Sequence, residues 1–490
     1  MTQPKTVRRL GPVIGLALLP AACQPAAVDS IPPTAYGSFW YSLNVLGGRG
    51  GYSQQTLRRV ERDGQTYVEA TDRTTIQVKL GAQALTATRE EMRRYDANLC
   101  LVLLEHQSDQ FGRKLRMVAE HRDHKLHITR EAPDGVTTRE LEVPESFGFD
   151  LAPLQALGEG ALGPDWTATF TTFDTELEAL DTIELAVVER LSEPDPGWKL
   201  STRSGQLKVT SYSWVTDTGI LVRQDVPDVM NLSMELVTEE EALREVSPLL
   251  LSGDIAVGQA LGDPVALSEL RLRVSVGTGS AGDLFATTTR QQIQAQDHQA
   301  IIAVRAATAP TQPVRLPVDV PELAPFLASS DTAQSSSPAI LAKVREILGD
   351  ETDAWAAVGR LRQWVYTSLR KVSSEPRPIS ASEVLAEMAG DCTEHSILMA
   401  ALCQAAGIPV KLVAGLAYSD GAFHYHAWNE VWVGDWIEVD ATWNEELVDA
   451  GHLQVAASAL DSASLSRLSL AAGRTLGSLK IEVLEHKTRT

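Results

Sequence analysis

The feature that most constrains this chain is a cysteine followed by a histidine and an aspartate, each in a segment with a recognisable local pattern. Apolar residues recur at helical spacing after Cys392, and Gly407 ends that run. Two β-rich runs follow, and they carry His426 and Asp440. Nucleophilic acyl chemistry needs a thiol, a base that takes its proton and a group that orients the base. The pattern therefore predicts a cysteine nucleophile at the start of a helix that faces a sheet.

The predicted position of Cys392 in the first turn of its helix bears on its reactivity. The first N–H groups of a helix have no intrahelical acceptor, and the helix dipole favours an anion there. Both effects stabilise a thiolate. The sequence therefore predicts a lowered pKa for the Cys392 thiol.

Four segments carry a resemblance to a known family. They are Gly-Asp-Cys-Thr-Glu-His at 390–395, Ala-Gly-Ile-Pro-Val at 406–410, His-Ala-Trp-Asn-Glu-Val-Trp-Val at 426–433 and Trp-Ile-Glu-Val-Asp-Ala-Thr at 436–442. In this order and spacing they resemble the core of the transglutaminase-like superfamily, which is related to papain. The resemblance extends over roughly 338–485, about a third of the chain. It implies that Cys392 is the nucleophile, His426 the general base and acid, and Asp440 the residue that orients His426.

Three further side chains near the predicted triad are candidates for an auxiliary or cleft-lining role. His395 lies three residues after Cys392 and hence on the same helix face, where it is either a second partner of the thiol or a structural hydrogen-bonding group. His424 and Trp428 share a strand face with His426. We expect them to line the cleft or to support the triad.

A metal site is the competing interpretation of the same residues. Cysteine, histidine and aspartate are all ligand types, and the Cys-x-x-His spacing of Cys392 and His395 is one that zinc sites use. Structural zinc sites usually present paired ligands on short loops, and this is the only such pair in the region. The sequence therefore favours acyl chemistry that uses neither a metal nor a cofactor.

The N-terminus has the pattern of a secretory signal. Basic residues precede an apolar run at 10–19, which is too short to span a bilayer, and small residues follow it. The sequence therefore predicts a signal peptide at 1–22 and a Pro- and Ala-containing tether at 23–34. Cys23 directly follows two alanines, which resembles a bacterial lipoprotein box and implies lipidation of Cys23.

The residues around Cys23 also indicate the cellular location of the mature chain. Gln24, rather than aspartate, follows the cysteine, and the resemblance to lipoproteins then implies the periplasmic face of the outer membrane. The alternative is ordinary cleavage near Ala22, which would release an exported protein without a lipid anchor. Both alternatives place the mature chain outside the cytoplasm.

Composition limits the partners. The net charge of −21 argues against nucleic acid, because binding phosphates requires an excess of Lys and Arg. With four cysteines, of which Cys23 and Cys392 have predicted roles, the chain has no disulfide framework. We expect a peptide or protein substrate and a membrane contact through the lipid anchor; the oligomeric state is not predictable from the sequence.

The rest of the chain has mainly a β pattern, and its length requires more than one domain. Alternating apolar residues and turn signals predict an antiparallel β-rich domain at 35–245, with hairpins near 126–143 and 212–226. A second β-rich segment at 246–327 and a Ser- and Thr-rich linker at 328–337 follow. The catalytic domain is expected at 338–490, so the predicted class is α+β.

The connection between the histidine and aspartate strands is predictable from side-chain alternation. With a two-residue turn at Gly434 and Asp435, Val433 would pair with Trp436, and Asp440 would point away from the face that carries His426. A three-residue loop, or a bulge that adds one unpaired residue, would instead turn Asp440 to the face that carries His426. We therefore expect one of these, with Asp440 within hydrogen-bonding distance of His426.

The predicted function is cysteine-dependent acyl transfer from, or hydrolysis of, an amide. Water as the acceptor gives a peptidase or amidase, and an amine gives a transglutaminase; the sequence leaves both open. A lipoprotein that binds peptides without cutting them is the alternative. An intact set of three catalytic residue types argues against that alternative.

Overall fold

The computed structural model describes residues 28–80, 83–110, 113–132, 135–193, 195–244, 249–250, 254–277, 280–372, 380–477 and 479–489. The predicted signal peptide and Cys23 lie outside these residues, so their roles stay predictions. No helix among the described residues is long and apolar enough to cross a membrane.

The first half of the chain forms one large antiparallel sheet. Its elements are β1 (Gly37–Val45), β2 (Gly48–Arg62), β3 (Gln65–Leu80), β4 (Gln83–Tyr95), β5 (Leu101–Gln110), β6 (Arg113–Arg122), β7 (Lys125–Ala132), β8 (Gly135–Glu142), α1 (Ala152–Gly158), β9 (Thr167–Asp174), β10 (Ala179–Leu191), β11 (Gly197–Ser204), β12 (Thr210–Thr216), β13 (Leu221–Val226), β14 (Leu232–Val237), α2 (Glu239–Ala242) and β15 (Leu249–Leu250). The strand order runs from β8 back to β1 and then from β14 to β9, with β15 beside β3. Both predicted hairpins, β7–β8 and β12–β13, are confirmed.

The large sheet curls around an apolar interior. Phe147, which follows β8, forms a bridge with Thr171 on β9 and so links the two ends of the strand order. Side chains alternate between the two faces along a strand, and in β7 every second residue, Leu126, Ile128 and Arg130, is buried. Tyr95, Leu104 and Met117 are among the fully buried side chains of this core.

The second half combines two smaller sheets with a helical layer. Its elements are β16 (Ile255–Ala256), β17 (Leu267–Ser275), β18 (Gln291–Gln296), β19 (Gln299–Arg305), α3 (Pro338–Leu348), α4 (Ala354–Ser368), β20 (Arg370–Lys371), α5 (Ala381–Glu387), β21 (Ala389–Gly390), α6 (Cys392–Ala405), β22 (Val410–Ser419), β23 (Ala422–Trp432), β24 (Trp436–Val439), β25 (His452–Ser458), α7 (Ser462–Thr475) and β26 (Lys480–Thr488). One sheet has the order β16-β23-β22-β25, with β24 beside β23. A second sheet has the order β18-β19-β17-β26, and β20 and β21 form a separate two-stranded parallel pair. The predicted α+β class is confirmed.

Local sequence signals explain where the helices begin. Ser337 caps α3, whose first residue is a proline, and Ser380 forms a capping box with Glu383 at the start of α5. The helices α3, α4, α5 and α6 share one apolar core with β22, β23 and β24. The helical layer therefore fixes α6 against the sheet.

The predicted division of the second half differs from the observed packing in two places. The C-terminal strand β26 pairs with β17, so the segments predicted as 246–327 and 338–490 share a sheet. The predicted linker at 328–337 packs against the helical layer: Ala333 is fully buried, and the Thr332 carbonyl accepts the N–H of Ala381. A low content of apolar residues predicts a loop, but it does not exclude a packed one.

Candidate active site

Cys392 is the first residue of α6, as the sequence predicts, and the helix start is tightly capped. The Asp391 carboxylate accepts the N–H of Thr393 at 2.8 Å, and the Glu394 carboxylate accepts the N–H of Asp391 at 2.8 Å. A side chain at Gly390 would place its Cβ 2.2 Å from the Cβ of Glu394. The Gly390–Asp391 pair therefore fixes the direction from which the chain enters the helix.

The strand that carries His426 is joined to the aspartate strand by a three-residue loop. Trp432 pairs with Trp436, which leaves Val433, Gly434 and Asp435 unpaired in the ladder. Gly434 has a φ of 105°, a conformation that glycine adopts without strain. The predicted three-residue loop is confirmed. Because the loop has an odd number of residues, the side chains of Asp440 and His426 point to the same side of the sheet.

The imidazole of His426 and the carboxylate of Asp440 form a buried pair. The Nε2 atom of His426 lies 2.8 Å from Oδ2 of Asp440, while Oδ1 accepts the N–H groups of Thr442 at 2.6 Å and Trp443 at 3.2 Å. Burial opposes ionisation of Asp440, but His426, together with the neighbouring His452, more than offsets burial and holds the pKa of Asp440 well below its ordinary value. An ionised Asp440 accepts a hydrogen bond from the Nε2–H group of His426. With that proton on Nε2, Nδ1 of His426 can accept a proton from another group.

Two tryptophans hold the plane of the His426 ring. Trp443 stacks on it with centroids 4.3 Å apart, and Trp428 lies 6.0 Å away at an angle of 23°. Trp428 is completely buried, and its Nε1–H donates to Glu438 at 2.7 Å. Trp428 therefore supports His426 from inside the sheet and does not line an open cleft. Trp443 was not predicted, although it lies only three residues after Asp440.

The half-buried thiol of Cys392 lies beside the backbone of Ala427, the residue after His426. Burial raises the pKa of this thiol to about 12, the Asp391 carboxylate acts in the same direction, and hydrogen bonding from the Ala427 backbone opposes both. The predicted lowering of the pKa is therefore wrong. The helix start does favour an anion, but burial and the capping carboxylate outweigh it. A lone thiolate is disfavoured here, so its formation requires a base.

The structure places the other two candidate histidines in structural hydrogen bonds. His395 is fully buried with Nδ1 2.6 Å from the Asp391 carbonyl oxygen, and burial lowers the pKa of its imidazole. His424 is held between Asp254, 2.8 Å from its Nδ1, and the Ser419 carbonyl, 3.1 Å from its Nε2. Both rings are therefore positioned by groups other than the Cys392 thiol.

A second buried histidine, which the sequence analysis did not find, contacts Asp440. The Nε2 atom of His452 lies 3.6 Å from Oδ2 of Asp440, and its Nδ1 lies 3.3 Å from Oδ1 of Asp449. Donor atoms of His426, Asp440 and His452 lie within 4.8 Å of one another, a spacing that could hold a cation. Hydrogen bonds and ion pairs between these side chains already explain the grouping. No local motif marks His452, because it reaches the site by strand pairing.

The comparisons with known proteins locate a family match over the same elements. The model of the transglutaminase-like superfamily matches residues 342–441, which include Cys392, His426 and Asp440. No curated protein matches the chain.

Among solved structures, a candidate cysteine protease of Cytophaga hutchinsonii is 18% identical, with a TM-score of 0.32, and the match covers 46% of this chain and 91% of that one. A β-barrel-like protein of unknown function from Brucella abortus is 14% identical, with a TM-score of 0.32, over 41% of this chain and 95% of that one. A candidate protease of Parabacteroides distasonis is 10% identical, with a TM-score of 0.18, over 79% of this chain and 69% of that one. The family match and the site geometry together identify residues 342–441 as a transglutaminase-like core.

Proposed function

We propose that this chain is an exported enzyme that uses Cys392 to cleave an amide, in a peptide or protein, through a thioester intermediate. The observation that carries the proposal is the buried His426–Asp440 hydrogen bond of 2.8 Å beside the start of α6, within the residues that match the family model. This arrangement supplies a thiol, a base and an orienting carboxylate.

In the first half of the reaction, Sγ of Cys392 attacks the carbonyl carbon of the amide. Nδ1 of His426 takes the thiol proton as the S–C bond forms, because burial disfavours a free thiolate at Cys392. The oxyanion faces the start of α6, where backbone N–H groups lack intrahelical acceptors. The C–N bond then breaks, the amine leaves with the proton from His426, and a thioester remains on Cys392.

In the second half, an acceptor releases the acyl group. His426 removes a proton from water or from a second amine, which attacks the thioester carbonyl. The C–S bond breaks, and the proton returns to Cys392. Water yields a carboxylic acid, whereas an amine yields a new amide.

The proposed location is outside the cytoplasm, with Cys23 lipidated and inserted in the outer membrane on its periplasmic side. This part of the proposal is supported by the basic start, apolar run and small residues before Cys23. It makes cell-envelope peptides and proteins the accessible substrates.

A peptide library assayed by mass spectrometry, with and without an added primary amine, tests the proposal. Cleavage or deamidation without added amine would indicate hydrolysis, and incorporation of the amine would indicate transfer. Cys392→Ala is expected to abolish both products, whereas Cys100→Ala, which removes a half-buried cysteine directly before β5, is the matched control. Equal turnover by Cys392→Ala would refute the proposal, and the absence of any turnover would favour the peptide-binding alternative.

A further inference from the structure

We propose that His452 is a positioning residue, which holds the Asp440 carboxylate against His426 from a second side. The inference rests on the proposed function, because it assigns His452 a role in the same reaction. His452 acts through Asp440 and does not touch the reacting atoms.

The first support is that one carboxylate oxygen lies between two imidazoles. Oδ2 of Asp440 lies 2.8 Å from Nε2 of His426 and 3.6 Å from Nε2 of His452. Asp440 and His452 are both completely inaccessible to solvent. Water therefore does not compete for this oxygen, and a charged contact at 3.6 Å is weakly screened.

The second support is that the His452 ring is itself held in place. Its Nδ1 lies 3.3 Å from Oδ1 of Asp449, and its ring meets those of Trp428 and Trp443 edge to face, at centroid distances of 5.1 and 5.5 Å. Its carbonyl oxygen accepts a hydrogen bond from the Arg290 guanidinium at 2.7 Å. A ring fixed on these sides can in turn fix Asp440.

The third support is the charge around the ring. The carboxyl groups of Asp440, Asp449 and Glu445 and the imidazole of His426 face His452. Burial lowers the pKa of His452, but the adjacent carboxylates of Asp440 and Asp449 and the nearby Glu445 outweigh this effect and raise it to about 10. This raised pKa favours the protonated ring at neutral pH, in which Nδ1 donates to Asp449 and Nε2 faces Asp440 at an ion-pair distance of 3.6 Å. Such a cation compensates the buried charge of Asp440 from a second side.

Removing the contact with Asp440 should slow the chemistry and leave the fold in place. His452→Asn keeps an amide close to Asp449 but is too short to reach Asp440, whereas His452→Gln carries an amide toward the position of Nε2. We expect His452→Asn to slow alkylation of Cys392 by about 10- to 100-fold, by analogy with the loss caused when a group that orients a metal-binding side chain is removed. We expect His452→Gln to recover part of this loss.

A double-mutant cycle through Asp440 tests the role. Labelling of Cys392 by iodoacetamide at pH 7.5 would be followed by peptide mass spectrometry in the full chain, its His452→Asn and Asp440→Asn variants and the double variant. If His452 acts through Asp440, His452→Asn has no further effect once Asp440 is replaced. His486→Gln, at an exposed position of β26, is the matched control and should label at the rate of the unmodified chain.

The outcomes separate this inference from the proposed function. An unchanged rate in His452→Asn, an equal loss in both backgrounds, or loss of folding in both His452 variants would overturn the positioning role. A labelling rate that is unchanged both in Asp440→Asn and in His426→Ala, which is labelled alongside, would instead overturn the proposed function.

Discussion

Replacing His426 by alanine should expose the intrinsic acidity of the Cys392 thiol. In the unmodified chain, the imidazole can accept the thiol proton while the sulfur reacts. In His426→Ala, Cys392 must ionise as a lone thiol in a site where burial and the Asp391 carboxylate oppose the charge. We therefore expect the variant to lose reactivity at neutral pH and to regain it only at high pH.

The size of the effect follows from the raised pKa. The thiol pKa is raised from 9.0 to about 12, and each pH unit is a factor of ten in the thiolate fraction. At pH 7, the lone Cys392 thiol would therefore carry about 1000-fold less thiolate than an ordinary cysteine. Because the thiolate is the species that is alkylated, His426→Ala should be labelled about 1000-fold more slowly than an ordinary cysteine at pH 7, whereas the unmodified chain, in which His426 takes the thiol proton, should be labelled at least as fast as an ordinary cysteine.

The assay is the rate of iodoacetamide labelling of Cys392 between pH 6 and 10.5, with glutathione as the reference thiol. His486→Gln should have the same profile as the unmodified chain. In His426→Ala, the rate should still be rising at pH 10.5. Labelling of His426→Ala at pH 7 within tenfold of the unmodified chain, or a midpoint near the ordinary cysteine value of about 8.5, would refute the reasoning.

Three other predictions concern stability and processing. Arg290→Ala should lower the free energy of unfolding, measured in urea titrations, by about 3–5 kcal/mol, because Arg290 forms a bidentate ion pair at 2.6 Å with the buried Glu438. The control variant Arg305→Ala, at an exposed position, should change the free energy of unfolding little. Equal effects of the two substitutions would contradict this account. His452 has a pKa raised from 6.5 to about 10, so its stabilising contribution is complete below pH 6.5 and is lost as the pH rises toward 10. The stability difference between the unmodified chain and His452→Asn should therefore shrink from pH 6 to pH 9.5, and a constant difference would argue against a buried cation. Intact-mass spectrometry of the membrane fraction should find a mature chain that starts at lipidated Cys23; an unmodified chain in the soluble fraction would overturn the anchor.

Local sequence signals were sufficient to predict that Cys392 lies at a helix start and that Asp440 lies on the same side of the sheet as His426. The start of α6 follows from an apolar run at helical spacing and a glycine that ends it. The relation of Asp440 to His426 follows from the alternation of side chains along two strands and the three-residue loop at Gly434. Both arguments use residues that are close in sequence, for which the backbone geometry leaves few alternatives.

Contacts between distant segments could not be predicted in this way. Arg290 reaches Glu438 across 148 residues, and β26 pairs with β17 although some 200 residues separate them. His452 reaches Asp440 because β25 pairs with β22, and no local pattern reveals that pairing. The raised pKa of Cys392 has the same origin, because burial depends on the complete fold and not on the position of a residue in its helix.

The most direct measurement is detection of the thioester itself. The protein would be quenched in acid during turnover of a peptide substrate, and the peptide that contains Cys392 would be analysed by mass spectrometry. We expect a mass increase equal to the acyl part of the substrate on Cys392, removed by hydroxylamine and absent from Cys392→Ala. Substrate turnover without any adduct on Cys392, and at the same rate in Cys392→Ala, would contradict cysteine-dependent acyl transfer.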